Sequence, residues 1–160
     1  MGVLTTAYSV PPTMMKKIRR DNEWLAYLFG VEEADAEAWA CATFEFDKLY
    51  EETIGILGAT GHPKTRSALD LEIPDKHAVE FDGYDIRVVT PAKLKAITKE
   101  LEHATAKNVK AKAIAIGVTD YYGRPIAEKE VEIYIGDLAK LKSFFEKAAE
   151  AGHYLIIAAA

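Results

Sequence analysis

The chain ends in an apolar segment, HYLIIAAA (residues 153–160), which holds few polar side chains. A strand of this composition belongs in the centre of a sheet, because both of its faces must be buried. The residues before it carry an apolar stripe at helical spacing, and Gly152 is placed to end that helix. The stripe consists of Leu138, Leu141, Phe144, Phe145 and Ala148. The C-terminal part therefore predicts a helix followed by a central, buried strand.

Turn and capping residues divide the rest of the chain into further strands and helices. Residues 2–9 and IRVVT (86–90) favour strands, since they are rich in β-branched side chains. Strands and helices do not alternate in regular βαβ units, so the predicted class is α+β. We expect a single domain over residues 1–160, with a small mixed sheet and several packed helices. The predicted helices follow Pro12, run through EWLAYLFG (23–30) and EEADAEAWACA (32–42), and follow Pro91 with Thr90 as cap.

Four segments are harder to assign. Residues 46–57 place apolar side chains at helical spacing, so a helix closed by Gly58 is predicted. Residues 58–83 contain several turn-forming residues and predict a long irregular connection, of a kind that is often functional. Residues 109–118 alternate like a strand but are rich in alanine like a helix, and both assignments stay open. Residues 131–135, VEIYI, alternate between apolar and polar side chains as a strand does.

The composition argues against several classes of protein. With 160 residues, 49% of them apolar, the chain can bury a core without a disulfide or a metal. The net charge of −5 argues against a nucleic-acid partner, which attracts basic surfaces. Because no apolar run approaches the roughly 20 residues of a membrane span, no membrane is expected as a partner. The single cysteine, Cys41, fits a reducing compartment, so a cytoplasmic location is expected.

The stretch GATGHPKT (residues 58–65) resembles the phosphate-binding pattern G-x-x-x-x-G-K-[ST] except at one position. Pro63 stands where the pattern has its second glycine. Proline has no backbone N–H to donate to a phosphate, and its φ is fixed close to about −65°. The segment before the stretch is also predicted to be a helix, whereas the pattern follows a strand. We therefore expect neither a nucleotide site nor a cofactor, and we interpret Gly58 to Gly61 as the end of the preceding helix.

No spacing of residues points to a familiar catalytic or metal site. The four histidines do not form a zinc-binding pattern and Cys41 is isolated, so no metal is expected. The three serines lie outside a G-x-S-x-G turn. His153 is interpreted as a hydrogen-bonded residue at the boundary of the last strand. His62 lies in a loop, where it is either solvated or available for binding and acid–base chemistry.

Several tyrosines lie in or near irregular segments, notably the turn YYGRP (121–125). Aromatic side chains exposed in loops favour binding surfaces. The alternative is that these rings cover the core and leave only their hydroxyl groups in water. The predicted binding residues are Tyr50, Tyr121, Tyr122, Tyr134 and His62.

Several stretches of the chain together resemble one protein family. The chain opens with MGVLTTAYSVPPTMMKKI and continues with FEFDKLYEETIGILGATG. Its second half contains IRVVTPAKLKAITKEL, VEIYIG and LKSFFEKAAEAGHYLIIAAA. In this order the stretches are similar to the YfbM-like family, a bacterial family of unknown function. The resemblance covers nearly the whole chain and implies a single-domain α+β fold without an established activity.

The resemblance carries the family's motif residues onto this chain, and it also shows three departures. Tyr50 stands where tryptophan is usual, Ile54 stands near a position that tends to be histidine, and Ile135 replaces a proline. If that tryptophan and histidine line a site in the family, the site is altered here. The motif positions carry over onto this chain as Asp47, Lys48, Tyr50, Thr90, Pro91, Glu132, Tyr134 and Gly136.

The leading hypothesis is a non-enzymatic module of an immunity or adaptor type, which binds a protein partner through a tyrosine-bearing, acidic surface. The alternative is a small hydrolase or transferase whose candidate catalytic residues are Asp47, Glu132, Tyr134 and His62. A cleft that joins these four side chains favours the enzyme, whereas their scattering over the surface contradicts it.

Overall fold

The computed structural model describes residues 3–30 and 41–160, which form an α+β fold. Its sheet consists of β1 (Thr5–Val10), β2 (Thr43–Asp47), β3 (Asp85–Val89) and β4 (Tyr154–Ala159), in the order β2-β1-β4-β3. The α+β prediction is therefore confirmed. The prediction of a mixed sheet is wrong, because the strands among the described residues pair antiparallel throughout.

None of the helices in the described ranges is long and apolar enough to cross a bilayer. The predicted helix over residues 32–42 lies, from residue 32 to residue 40, outside the described residues. A short 3-10 turn at Asn22–Trp24 precedes the second helix. The helices are α1 (Pro12–Arg20), α2 (Leu25–Leu28), α3 (Tyr50–Ala59), α4 (Pro63–Leu69), α5 (Pro91–Glu100), α6 (Ala106–Ile116), α7 (Glu128–Ile135) and α8 (Leu138–Glu150).

The apolar C-terminal strand lies in the middle of the sheet, as its sequence predicts. β4 pairs with β1 on one side and with β3 on the other. Because side chains alternate along a strand, Ile156 packs with α1 and α2, whereas Leu155 and Ile157 pack with the helices of the opposite face. All three side chains are fully buried. Burial on both faces explains why this segment has so few polar residues.

Several predicted boundaries are confirmed. Pro91 occupies the first turn of α5, and the Thr90 hydroxyl accepts a hydrogen bond from the Lys93 amide at 3.4 Å. His153 lies between α8 and β4, and its Nδ1 is 2.8 Å from Ser9 Oγ. His153 is thus a hydrogen-bonded boundary residue, as interpreted from the sequence.

The helix predicted over residues 46–57 begins later than predicted. Phe46 belongs to β2, and the chain turns at Asp47, whose φ is +53°, before α3 begins at Tyr50. The Phe46 ring packs edge-on against the Tyr50 ring, with centroids 4.7 Å apart. Phe46 therefore reaches the same core as α3 without being part of it, which explains why its spacing resembles that of a helix.

Residues 58–83 are not a continuous irregular connection. Gly58 lies within α3 rather than closing it, and Gly61, with φ +101°, turns the chain. Pro63 then opens α4, since proline is favoured in the first turn of a helix. This helix has only seven residues, and its start is stabilised by Glu100, which lies far away in the sequence. Neither property is visible in a local pattern.

Both alternating segments are helical. Residues 109–118, which the sequence left open between strand and helix, lie mostly in α6. Residues 131–135 belong to α7, so the strand-like reading of their alternation is wrong. Val131 and Ile135 lie four positions apart and are both buried, which is helical spacing. In a segment of five residues, the first and the last side chain lie on the same face in a strand and in a helix. The alternation therefore does not distinguish the two.

Candidate functional site

A solvent-accessible cleft lies between α3, the residues that end α4 and follow it, and the loop between α6 and α7. Two adjoining cavities, of about 450 Å³ and about 1110 Å³ including the space open to solvent, form this cleft. We call the combined depression the tyrosine cleft. The residues that line both cavities are Glu51, Gly55, Arg66, Glu72 and Tyr121.

The first turn of α3 supplies two carboxylates to the tyrosine cleft. Glu51 and Glu52 lie at the N-terminal end of this helix, where the helix dipole favours negative charge. Although Glu51 is exposed, partial desolvation by its neighbours raises its pKa, and the like charges of Glu52, Glu72 and Asp70 raise it further. Desolvation, together with the crowding of negative charge at this wall, therefore outweighs the effect of the dipole.

The second wall is the segment from Arg66 to Glu72. The Asp70 carboxylate accepts a hydrogen bond from the Glu72 amide at 2.9 Å, which closes a tight turn after α4. The buried Tyr50 hydroxyl donates to the carbonyl of Leu69 and ties this turn to α3. These bonds shape the turn that carries Glu72 to the edge of the cleft.

The third wall is the turn between α6 and α7. The Asp120 carboxylate accepts hydrogen bonds at 2.9 Å from the amides of Tyr122 and Arg124, and from the Arg124 side chain. The amide of Arg124 is the main cause of a lowered pKa for Asp120. The turn leaves Tyr121 and Tyr122 64% and 78% exposed, so both rings are accessible to a partner.

One side-chain contact joins the second and third walls. The Tyr121 hydroxyl lies close to the Glu72 carboxylate, whose negative charge raises the pKa of Tyr121. The contact brings an exposed aromatic ring and a carboxylate together at the mouth of the cleft.

The lining of the tyrosine cleft is strongly acidic. Among the described residues that line it, Arg66 is the cationic side chain, and its Nε lies 3.9 Å from an Asp70 carboxylate oxygen. Asp70 and Asp120 are engaged in turns, so the glutamates are the carboxylates available to a ligand. Negative potential next to an aromatic face and apolar side chains favours a cationic group on an aliphatic stem. The lining carboxylates are Glu51, Glu52, Asp70, Glu72 and Asp120, and the apolar lining includes Ile54, Ile116 and Val118.

The structure brings some of the predicted binding residues together. Tyr121 lines the cleft, Tyr122 adjoins it, and Tyr50 lies buried at its floor rather than on the surface. Tyr134 lies in a separate groove between β2 and α7. His62 precedes α4, and its Nδ1 lies 3.0 Å from the carbonyl oxygen of Leu57. Three of the five residues are therefore associated with the cleft.

The four candidate catalytic residues have separate surroundings. Asp47 is exposed at the end of β2, and Glu132 on α7 forms an ion pair with Lys110. Tyr134 lines the groove beside β2, whereas His62 bonds to the end of α3. None of the four lines the tyrosine cleft.

A carboxylate of the protein itself fills the position that resembles a phosphate site. Glu100 accepts hydrogen bonds from the amides of Lys64 at 3.0 Å and Thr65 at 2.6 Å, and from the Thr65 hydroxyl at 2.7 Å. Burial alone raises the pKa of Glu100, but the bonds from Thr65 and Lys64 outweigh it and lower the pKa. The Lys-Thr pair of the pattern thus has a structural role at the start of α4.

Sequence reasoning missed the glutamates and Arg66 as site residues. Glu51 and Glu52 look like an ordinary solvated pair on a helix. The available signal was the pair of glycines that follows them, Gly55 and Gly58, at a spacing that opens one side of α3. Glu72 carries no local signal, because its position in the cleft depends on the turn after α4.

The fold and the cleft together define a small α+β protein with an antiparallel sheet, helices on both faces and an acidic cleft among the helices. A family model described as a domain of unknown function (DUF1877) matches residues 1–158, and the chain belongs to this family.

A solved structure supports the same fold. The crystal structure of YfbM, a protein of unknown function from Escherichia coli, matches with a TM-score of 0.59 and 13% sequence identity, and the match covers 99% of each chain. The resemblance to the YfbM-like family is therefore confirmed. No curated protein matches the chain.

Proposed function

We propose that this protein is a non-enzymatic binding module, of an immunity or adaptor type, whose tyrosine cleft receives a basic segment of a protein partner. The observation that carries the proposal is the convergence of Glu51, Glu72 and the exposed Tyr121 on one accessible cleft. These residues come from three separate parts of the chain.

The electrostatics of the cleft supports a cationic ligand. The pKa of Glu51 is raised first by desolvation and then by the like charges of Glu52, Glu72 and Asp70, and close like charges destabilise the free protein. A lysine or arginine side chain between Glu51 and Glu72 relieves the repulsion. Binding energy then comes partly from the removal of an unfavourable interaction in the free protein.

The two exposed tyrosines support a peptide or protein over a small cation. Tyr121 and Tyr122 are in edge-to-face contact, with centroids 5.4 Å apart, and form an exposed aromatic edge beside the acidic wall. Such rings provide contact area at low entropic cost, and their faces accept cations, as that of Tyr122 does from Arg124 of the same turn. A basic segment fits both features. The charged groups of its lysine and arginine side chains reach the carboxylates, while the aliphatic parts of these side chains cover the tyrosine rings.

The proposal includes a cytoplasmic location, in keeping with the single free cysteine, Cys41. It does not include a nucleic-acid partner, because the cleft is acidic. The hydrolase or transferase alternative has no geometric support, since its four candidate residues lie in separate surroundings.

Chemical-shift mapping tests where a basic segment binds. The labelled protein is titrated with a short peptide that alternates arginine and alanine, and separately with a peptide that alternates glutamate and alanine. We expect the basic peptide to shift the amide signals of Glu51, Glu72 and Tyr121 most strongly, and the acidic peptide to leave them unchanged. Shifts centred on another surface, or none with about 1 mM peptide, contradict the proposal.

A further inference from the structure

We propose that Arg87, a buried residue of β3, is a positioning residue that holds the second wall of the tyrosine cleft and so sets Glu72 opposite Tyr121. This inference rests on the binding function proposed above for the cleft. Arg87 itself does not line the cleft, and it acts through the backbone of residues 67–73.

The Arg87 side chain is 4% exposed and donates its hydrogen bonds to backbone carbonyls. Its Nε donates to Ala68 at 3.0 Å, its Nη2 donates to Ser67 at 2.9 Å, and its Nη1 donates to Ile73. These three acceptors lie at the two ends of the 67–73 segment. One rigid, planar group therefore spans the segment from its first residue to its last.

An arginine suits this position for two physical reasons. The last carbonyls of a helix have no partner within the helix, and a cation at that end is favoured by the dipole. The guanidinium also directs several N–H groups in fixed directions, whereas a lysine ammonium is a point charge on a flexible stem. Bonding to three separate carbonyls therefore requires the planar, forked arrangement of the guanidinium N–H groups as well as the positive charge.

A nearby carboxylate balances the buried charge. Asp75 accepts hydrogen bonds from the amides of Val88 at 3.0 Å and His77 at 2.9 Å. Burial alone raises the pKa of Asp75, but these bonds and the charge of Arg87 lower it, so the carboxylate stays ionised. Asp75 also ties the following loop to β3, next to Arg87 in the sheet.

The segment held by Arg87 carries part of the cleft. Asp70, Leu71 and Glu72 lie between its two anchored ends, and all three line the cleft. Tyr50 adds a tether from the α3 side through the Leu69 carbonyl. Tyr50 holds the segment only at Leu69. The Arg87 bond to the carbonyl of Ile73 is needed to hold its C-terminal end, where Glu72 lies close to Tyr121.

The test compares Arg87→Lys and Arg87→Gln with Arg20→Lys, an exposed position on α1. We expect both Arg87 variants to bind the arginine–alanine peptide about fivefold more weakly than the wild type, because the cleft is less preorganised. Hydrogen exchange should be faster at residues 67–73 but unchanged in α8. The pKa of Tyr121, followed by NMR of the labelled rings, should fall towards its value in Glu72→Gln. Arg20→Lys should change none of these.

The outcomes separate the two proposals. If the wild type does not bind the peptide, the proposed function fails, while hydrogen exchange and the Tyr121 titration still test the role of Arg87. Wild-type exchange rates and Tyr121 pKa in the Arg87 variants overturn the inference. If neither Arg87 variant folds, the inference is tested in the wild-type protein by the solvent exchange of the Arg87 side chain. Slow solvent exchange of the Arg87 Nε–H supports its role as a positioning residue, and rapid exchange contradicts that role.

Discussion

Two glutamates of this chain respond to their surroundings in opposite ways. Glu100 accepts hydrogen bonds from Lys64 and Thr65, so its pKa is lowered. Glu51 is exposed but partly desolvated, and it lies next to other carboxylates, so its pKa is raised. The first carboxylate therefore stabilises the folded state at neutral pH, and the second destabilises it. Stability measurements on single variants can distinguish the contribution of Glu100 from that of Glu51.

Replacing Glu51 with glutamine should stabilise the protein. Because its folded pKa lies above the unfolded value, the folded state holds the proton more tightly, and stability falls as the pH rises through this range. At about pH 7 the charge is destabilising, and Glu51→Gln should raise Tm. The gain should disappear below about pH 3, where the carboxyl is protonated in both states. Glu146→Gln, an exposed site on α8, is the control, and an equal gain at both pH values contradicts the prediction.

Glu100→Gln should have the opposite effect. The amide replaces a charged cap that accepts three hydrogen bonds, and we expect a loss of about 1 kcal/mol in the free energy of unfolding at neutral pH. Because the folded pKa is lowered, the stabilisation by Glu100 is present above its usual pKa and is lost as the pH falls through the folded value. Denaturant unfolding of both proteins should therefore converge in acid. A difference that does not depend on pH, or a similar loss in the exposed Glu102→Gln, argues against the cap.

At the scale of elements, the two glycines of α3 shape the tyrosine cleft. Gly58 lies under the side chain of Arg66, and a Cβ at this position would come within 2.4 Å of Arg66 Cδ and 3.0 Å of its Cβ. Gly55 lines the cleft, and a Cβ there would meet no atom within 4 Å. Only one of the two glycines is therefore required by packing.

This difference gives a matched pair of substitutions. Gly55→Ala should increase the free energy of unfolding by up to about 1 kcal/mol, because alanine is the better helix former. Gly58→Ala gains the same propensity but forces Arg66 away from α3, so its stability should be lower than that of Gly55→Ala by about 1 kcal/mol or more. Equal stabilities in urea unfolding would show that Arg66 moves without cost, contrary to this account.

Local patterns predicted some elements and not others. The end of α8, the cap at Thr90 and the central strand β4 follow from residues close together in the sequence. α4 was missed because the Glu100 carboxylate that stabilises its start comes from α5. Residues 131–135 were misread because a five-residue window fits both a strand and a helix. The secondary structure of such a short segment is determined by its packing in the complete fold.

At the scale of the whole molecule, the tyrosine cleft is assembled from three distant parts of the chain. The exposed Tyr121 and Tyr122 could be predicted, because the turn that carries them is marked by Gly123 and Pro125. The acidic walls could not, since nothing in the sequence shows that Glu51 and Glu72 face the same space. The antiparallel sheet and the helices packed on it bring these segments together.

The most direct measurement is the affinity of the arginine–alanine peptide for two matched double variants, determined by calorimetry at low salt. Glu51→Gln with Glu72→Gln alters the cleft, whereas Glu146→Gln with Glu150→Gln removes the same charge from α8. Both therefore change the net charge equally. We expect the cleft variant to bind about tenfold or more weakly than the wild type, and the α8 variant to stay within about twofold. Equal weakening in both variants, or none in the cleft variant, contradicts the assignment of the tyrosine cleft as the binding site.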